Sequence, residues 1–204
     1  MLNELNKFKD YHENNFIDPV DDEYIEIDGI KYRCPKDSFK YVNITLDGLN
    51  YICIEDINGN FEVKKDDKII IPDEVDIILH GACSGSGGVY GTIHFNNVKE
   101  IFDSAFENSF GIDNIILSKV EKIGRNAFAY CEKLDKVVIP NTVKYIGSYA
   151  FAYCSLTEMY FEENPEIIEY MHLDKKVIIY GIPGGTVEEY AKTYGHKFVN
   201  INEK

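Results

Sequence analysis

The second half of this 204-residue chain contains three copies of one pattern. The copies start at valines that lie 22 and 23 residues apart, and each ends in a strand-forming run: Val98–Leu117, Val120–Ile139 and Val143–Phe161. A constant period of this length is typical of a solenoid, because one unit cannot bury its apolar face until the next unit stacks on it. The pattern therefore predicts a mainly β solenoid with short helices and coils of 22–23 residues.

Residues that recur at equivalent places in the three copies predict the core. Three columns are invariant, namely Ile101, Ile123 and Ile146; Ala105, Ala127 and Ala150; and Phe106, Phe128 and Phe151. A small alanine lets neighbouring backbones approach, while phenylalanine fills the middle of each coil. Ser109, Cys131 and Cys154 share a fourth column and are interpreted as small core side chains. Gly124 and Gly147 are expected to form tight or left-handed turns.

A more divergent copy precedes these three. If Val75 corresponds to Val98, then Ile78 and Ala82 fall on the isoleucine and alanine columns, and Cys83 replaces the phenylalanine. Upstream, residues 69–72 look like the strand of an incomplete coil, since a proline ends a strand by offering no amide to the ladder. After the repeats, the run from Val177 to Tyr180 predicts one further strand.

Three motifs make a resemblance specific. They are AFAYC, the pattern LxxVVIPxxVxxIGxxAF, and the closing pattern IYGxxGGTxEEYAKxxGxKF, which begins at Ile179. Over roughly residues 69–204 the chain resembles the BspA-like leucine-rich-repeat family. The resemblance implies a β-rich leucine-rich-repeat solenoid with one strand per coil and a C-terminal cap of a helix and a strand. It also implies binding of proteins or surfaces without catalysis or a cofactor, and many members are surface-exposed or secreted.

The C-terminal cap is expected to contain a helix over roughly 186–194. Val187, Tyr190 and Ala191 have helical spacing and would form its buried face, while Gly195 is a typical helix terminator. A short last strand should then begin at Phe198.

The segment before residue 69 divides into two parts. Residues 1–21 are polar and charged and are expected to be helical or flexible. Residues 22–68 carry three turn signals, Asp28-Gly29, Asp47-Gly48 and Asn58-Gly59, between alternating segments, which predicts a small antiparallel β-meander. We expect this meander to cover the open end of the solenoid, although a separate ligand-binding module is the alternative.

The charge balance restricts the classes of partner. The chain has 35 acidic and 21 basic residues, a net charge of −14, so recognition of nucleic acid by a basic face is not expected. A basic protein partner fits this charge, and so does a simple role in solubility. No apolar run is long enough to span a membrane, and a monomer is expected.

The cellular location is predicted from the N-terminus and the cysteines. The first residues lack the apolar run of a signal peptide, so we expect a cytoplasmic protein; export with the signal already removed is the alternative. The five cysteines include no CxxC spacing, which favours a reduced state. Cys34 and Cys53 could pair if the protein were exported.

Candidate chemical sites are weak. Residues 56–62 alternate like the start of a calcium loop, but the glycine is misplaced and the distal glutamate is missing. The glycine-rich stretch 84–91 lacks the ending of a phosphate-binding loop, and an enzyme with a site near it is the least favoured function. His80 and Cys83 could form a nucleophile pair, but Cys83 is expected in the core. No catalytic residue, metal ligand or cofactor is therefore predicted.

Strand alternation predicts which side chains leave the core. The central outward column is expected to contain Ile70, His94, Ile116, Val138, Tyr160 and Ile178. With Asp113 and Asp135 beside it, the column resembles an interaction surface, whereas the alternative is that β-branched residues are outside because strands favour them. We predict that the protein binds a partner through His94, Ile116, Val138, Tyr160, Asp113 and Asp135. A structural or cell-surface adhesion or self-assembly element is the second hypothesis.

Overall fold

The computed structural model describes residues 23–27, 29–34, 39–46, 49–57, 68–85 and 90–203. Within these ranges the chain forms sixteen strands and one α-helix. The strands are β1 (Glu23–Ile27), β2 (Ile30–Cys34), β3 (Phe39–Leu46), β4 (Leu49–Ile57), β5 (Lys68–Ile70), β6 (Ile77–Ile78), β7 (Tyr90–His94), β8 (Glu100–Ile101), β9 (Gly111–Ile116), β10 (Lys122–Ile123), β11 (Lys136–Ile139), β12 (Tyr145–Ile146), β13 (Glu158–Phe161), β14 (Ile167–Ile168), β15 (Ile178–Gly181) and β16 (Lys197–Asn200). The helix α1 (Thr186–Tyr194) lies between β15 and β16.

Each coil contributes a strand to two faces of the solenoid. The longer strand of each coil lies in one of two sheets, β1-β2-β5-β7-β9 and β11-β13-β15-β16. The two-residue strands lie in a third sheet, β14-β12-β10-β8-β6-β4-β3, together with the longer strands β3 and β4. Strands of successive coils pair in parallel, because equivalent segments run in the same direction in every turn of the solenoid. We call the turn-rich segment between each short strand and the next long strand the third side.

The predicted core columns are confirmed. Ile78, Ile101, Ile123 and Ile146 pair in register along the short-strand sheet, and all four are buried. The alanine column is also buried, including Ala82 of the divergent first copy. The fold is therefore a mainly β solenoid of roughly 22-residue coils, as the repeat spacing predicted.

The phenylalanine column forms a stack of rings along the solenoid axis. Phe128 lies between Phe106 and Phe151, with ring centroids 5.5 Å apart on each side and interplanar angles of 8°. Phe95 packs edge-on against Phe106 and Phe128 at 5.3 and 5.9 Å. Because each ring contacts equivalents in neighbouring coils, the coils cannot rotate relative to one another without losing these contacts.

The serine and cysteine column has a hydrogen-bonding role as well as a small volume. Ser109 donates its hydroxyl to the carbonyl of Cys83 at 3.1 Å. The Cys131 thiol donates to the Phe106 carbonyl at 3.5 Å, and the Cys154 thiol donates to the Phe128 carbonyl at 3.2 Å. Each acceptor belongs to the preceding coil, so a small donor at this position adds a hydrogen bond between adjacent coils. The Phe106 and Phe128 carbonyls also accept from the amides of Ser109 and Cys131 within their own turns.

Gly124 and Gly147 each begin a tight turn, as one of the two predicted alternatives, since their carbonyls accept from the amides of Ala127 and Ala150 at 3.4 and 3.2 Å. The left-handed alternative is wrong, because neither has a positive φ. Their need for glycine is steric. A Cβ on Gly124 would lie 2.6 Å from the backbone nitrogen of Asp103, and one on Gly147 would lie 2.8 Å from the backbone nitrogen of Arg125. The close approach of backbones in adjacent coils therefore selects glycine here.

This distinction gives a first testable prediction. Gly124→Ala should lower the free energy of unfolding by about 1–3 kcal/mol, because the added carbon overlaps a backbone that cannot move freely. Gly124→Asn should cost at least as much, whereas a left-handed position would tolerate asparagine better than alanine. Chemical denaturation of both variants measures the difference, with exposed Ser155→Ala as a control. An asparagine variant clearly more stable than the alanine variant would contradict the steric explanation.

The N-terminal strands form two hairpins that join different faces of the solenoid. In the first hairpin Ile27 pairs with Ile30, and in the second Leu46 pairs with Leu49, which agrees with two of the predicted turns. However, β2 pairs in parallel with β5, while β4 pairs in parallel with β6. The expected single meander is therefore not formed by the described strands, since each hairpin extends one sheet of the solenoid. The third predicted turn, Asn58-Gly59, and residues 1–21 lie outside the described residues.

The C-terminal cap agrees closely with its prediction. The helix α1 buries Val187, Tyr190 and Ala191, and Gly195 ends it with a left-handed φ of 77°. After it, β16 adds in parallel to β15 and completes the long-strand face. This arrangement covers the apolar end of the last coil. In the described part of the chain no helix is long and apolar enough to cross a membrane.

The last coil is shorter than the others on its third side. Ile146 pairs with Ile168, a separation of 22 residues, but Met159 pairs with Ile179, a separation of 20. The predicted alignment of Ile178 with Tyr160 is therefore wrong, and Tyr180 takes that place. Since side chains alternate with a period of two, this slip leaves the inward and outward faces unchanged.

Candidate functional site

The outward column of the long-strand face contains the predicted binding residues, but their exposure differs. Val138 is 50% exposed, and Ile116 and Tyr160 are half-buried. In contrast, Ile70 and His94 are buried. The exposed apolar surface of this column is therefore in its second half, where β11, β13 and β15 lie side by side.

His94 is held within the protein. Its Nε2 lies 2.6 Å from the hydroxyl of Ser118, and burial lowers the pKa of the imidazole. Only 7% of the residue is exposed, so His94 offers little surface to a partner. Sequence alternation could place this side chain outward but could not determine how much of it is covered.

Two stacked tyrosines follow Val138 along the outward column. The rings of Tyr160 and Tyr180 are parallel within 8°, and their centroids lie 4.2 Å apart. Both hydroxyls donate to the carboxylate of Glu158, at 3.1 and 3.3 Å, and Lys136 forms an ion pair with the same group at 2.8 Å. This cluster orders the rings before any partner arrives.

The cluster also affects ionisation. The hydrogen bond and charge of Lys136, together with the hydrogen bonds from the tyrosines, lower the pKa of Glu158. Loss of hydration and the bond to Glu158 raise the pKa of Tyr160 to about 12. At neutral pH Tyr160 is therefore a neutral donor and Glu158 is a charged acceptor.

The two predicted acidic residues are exposed beside this column. Asp113 is an extra residue in β9, because Gly91 pairs with Ile112 while Thr92 pairs with Asn114. Asp135 precedes β11, and its backbone carbonyl accepts from the Thr157 amide at 2.8 Å. The sheet therefore holds the backbone of both aspartates in place.

The third side carries an aromatic cluster that the sequence pattern did not predict. We define the tyrosine cluster as Tyr130, Tyr149, Tyr153, Tyr170, His172 and Tyr194. Its five tyrosines are 36–52% exposed, and the stacked rings of Tyr130 and Tyr153 lie 4.5 Å apart. The signal in the sequence was the tyrosine of each AFAYC motif, which recurs 23 residues apart next to the core phenylalanine.

Several residues of this cluster have an unusual backbone. Tyr130, Tyr149, Tyr153 and His172 have φ values between 54° and 61°. The left-handed region suits glycine and asparagine, and bulky residues are rarely found there. Equivalent positions in other coils are Gly81, Ser104 and Asn126 in the column of Tyr149, and Gly85 and Asn108 in the column of Tyr130 and Tyr153; all five have the same conformation.

A cavity of about 330 Å³ lies beside the cluster. One wall comes from the fourth coil and the other from the shortened last coil; the lining residues are Phe151, Tyr153, Cys154, Leu156, His172, Leu173, Asp174 and Val177. Apolar side chains and polar groups both line it, and Tyr153, His172 and Asp174 contribute aromatic rings and a carboxylate. The last coil is two residues shorter on this side, and the cavity lies between it and the coil before it.

The enzyme hypothesis gains no support from the residues that the structure describes. Cys83 is buried, as expected, and burial raises the pKa of its thiol, which disfavours the nucleophilic thiolate. His80 is exposed. The cysteines whose side chains are described, Cys53, Cys83, Cys131 and Cys154, are unbridged. Among the described residues, no group of three potential ligands could hold a metal ion.

Two solved structures are similar to this solenoid. One is described as "The Crystal structure of Pneumococcal vaccine antigen PcpA" and has a TM-score of 0.56 at 14% identity. That match covers 78% of this chain and 47% of the antigen, so the chain spans about half the antigen's length, and it shows the fold alone. The other, "T. pallidum Leucine Rich Repeat protein (TpLRR)", has a TM-score of 0.49 at 16% identity, covering 81% of this chain and 97% of that one.

No curated protein matches this sequence. The family described as "BspA type Leucine rich repeat region" matches residues 58–176 with six copies, which is more than half of the chain. The matched range contains the stacked isoleucine, alanine and phenylalanine columns described above. The chain therefore belongs to the BspA type leucine-rich-repeat family.

Proposed function

We propose that this protein is a non-catalytic binding module that recognises a partner protein through its long-strand face. The contact surface is the strand patch, defined as Ile116, Val138, Tyr160 and Tyr180. The observation that carries the proposal is the ordered apolar column itself, in which a half-exposed valine adjoins two stacked tyrosines. Ordered aromatic side chains lose little conformational entropy on binding and are frequent in the energetic centres of interfaces.

The polar surroundings of the strand patch support recognition of a basic partner. Asp113 and Asp135 are exposed along its edge, and the whole chain has a net charge of −14. An acidic rim accelerates encounter with a basic protein and disfavours acidic ones. The association rate should therefore fall as salt is raised, while the apolar centre governs dissociation.

Other function classes have less support. Leucine-rich-repeat solenoids of this kind are typically non-enzymatic, and family members are commonly adhesion or protein-binding surface proteins. Self-assembly through the end of the solenoid needs an open coil, but α1 and β16 cover the C-terminal one. A rigid extended surface is the feature that a binding module requires.

The experiment compares two variants in which glutamate replaces an exposed apolar residue. Val138→Glu places a charge in the strand patch, whereas Ile167→Glu places one on the short-strand face at nearly the same exposure, 50% against 52%. Proteins captured from the native organism by wild type and by Ile167→Glu should be lost or reduced at least tenfold with Val138→Glu. Quantitative mass spectrometry measures the captured proteins, and circular dichroism checks that both variants fold.

Equal capture by the wild type and both variants would contradict the strand patch as the binding surface. Loss with Ile167→Glu alone would assign the interaction to the short-strand face. For any partner identified, Asp113→Asn and Asp135→Asn should reduce the association rate at low salt and have little effect at high salt.

A further inference from the structure

Three tyrosines of the tyrosine cluster on the third side have a strained, left-handed backbone although their rings are exposed. At the left-handed positions that match these tyrosines, other coils carry Gly81, Gly85, Ser104, Asn108 and Asn126, most of which are the glycine and asparagine that adopt this conformation at low cost. Towards the C-terminus, Tyr130, Tyr149, Tyr153 and His172 adopt it instead. Since the three tyrosines are 37–52% exposed, their burial in the core cannot explain the choice. Strained residues of this kind often belong to binding sites.

The cavity next to the cluster is large enough for one long side chain. Its volume of about 330 Å³ is at the lower end of typical ligand sites, which span about 300–1,000 Å³. Phe151, Leu156 and Val177 supply buried apolar surface that suits an aliphatic stem. Tyr153 and His172, whose ring centroids lie 4.9 Å apart, supply aromatic surface on its walls.

The charges favour a cation among the side chains that could enter. Asp174 lines the cavity, and its ion pair with Lys176 spans 3.9 Å to a lysine side chain that is 88% exposed. Such an exposed pair is weak and can be displaced at little cost. Aromatic faces attract cations, and a planar guanidinium stacks on tyrosine while it pairs with a carboxylate.

We propose that this cavity receives an arginine side chain from a partner polypeptide, with the guanidinium against Tyr153 and His172 and paired with Asp174. The methylene groups of the arginine would lie along Phe151 and Leu156. This site is on the third side, away from the long-strand face, so it does not depend on the strand patch being the main binding surface. Together the two surfaces would read different parts of a basic partner.

The test uses the full chain with tyrosine rings labelled with carbon-13. The probes are two peptides, Ac-Gly-Ser-Arg-Ser-Gly-amide and the same peptide with citrulline, which keeps the shape of arginine but removes its charge. Titration should shift the ring signals of Tyr153 and its neighbours in the tyrosine cluster, with a dissociation constant on the order of 1 mM for one anchored side chain. The citrulline peptide should bind at least tenfold more weakly.

Variants separate binding from folding. Tyr153→Asn introduces a residue that tolerates the left-handed backbone, so the variant should fold normally. Its affinity for the arginine peptide should be at least tenfold lower. Asp174→Asn should lower the affinity for the arginine peptide several-fold and remove most of the difference in affinity between the two peptides. Val138→Glu, on the long-strand face, should leave the affinity for the peptide unchanged.

Three results would overturn the proposal. These are equal affinity for the arginine and citrulline peptides, unchanged affinity in Tyr153→Asn, and the absence of saturable shifts up to about 10 mM peptide. Shifts of the same rings that depend on protein concentration without peptide would assign the cavity to a second copy of the chain, and would also reject it. Because Val138→Glu is tested separately, failure of this site and failure of the strand patch are distinguishable.

Discussion

Replacing Phe128 by alanine should lower the free energy of unfolding by about 3–5 kcal/mol, as expected for a large-to-small change in a core. Phe128 is fully buried and stacks against Phe106 and Phe151 at 5.5 Å, with Phe95 edge-on at 5.9 Å. Neighbouring coils cannot close the cavity, since their positions are set by the backbone hydrogen bonds between coils. For a chain of this size the melting temperature should fall by about 6–20 °C.

A matched variant tests whether the position in the stack is responsible. Tyr130→Ala also removes an aromatic ring from the same AFAYC motif, but Tyr130 is 37% exposed. It should cost about 1 kcal/mol, close to the value of one stacked aromatic pair. Calorimetric melting of both variants measures the contrast, and similar losses for Phe128→Ala and Tyr130→Ala would show that the core stack is not the main support of the fold.

Deleting residues 182–204 should produce a protein that aggregates or self-associates. The deletion removes α1, whose Val187, Tyr190 and Ala191 are buried against the last coil, and it removes β16, leaving β15 as an open parallel edge. The lost burial should cost about 5 kcal/mol or more, given about 1.5–3 kcal/mol for each large apolar side chain. An exposed edge strand above an apolar end is a template for association with other chains.

The control deletion removes only residues 201–204. This segment contains the short 3₁₀ turn Ile201–Glu203, which buries no side chain. It should leave the melting temperature nearly unchanged and the protein in its original assembly state. Light scattering and melting curves compare the two deletions. If the longer deletion gave a monomer with unchanged melting, the cap would not be needed for stability.

The repeat spacing was sufficient to predict the fold, because the alignment of the core columns depends only on the repeat period. Ile101, Ile123 and Ile146 must coincide in space if each coil follows the same path, and in the structure they do. The helix over residues 186–194 was equally predictable, since its apolar spacing and terminating glycine are local features. The alternation of side chains along each strand predicted the inward and outward faces even in the last coil, where the predicted register was wrong.

The errors have a common origin in contacts between coils. The last coil is two residues shorter on its third side, which a strand pattern that repeats every two residues does not reveal. Gly124 was interpreted from its own backbone preference, although Asp103 of the preceding coil is what excludes a side chain. The two N-terminal hairpins were predicted from their turns, yet the parallel partners of β2 and β4 lie in distant segments.

For the surfaces, the sequence by itself determined which residues alternate outward, including Val138 and Tyr160, because alternation is a property of each strand alone. Only the tertiary structure decided that His94 is buried, that Tyr160 and Tyr180 stack on a shared carboxylate, and that a cavity adjoins Tyr153. The physical reason is that exposure, stacking and cavities depend on what neighbouring coils place within a few ångströms, and that distance is set by the stacking of the whole solenoid.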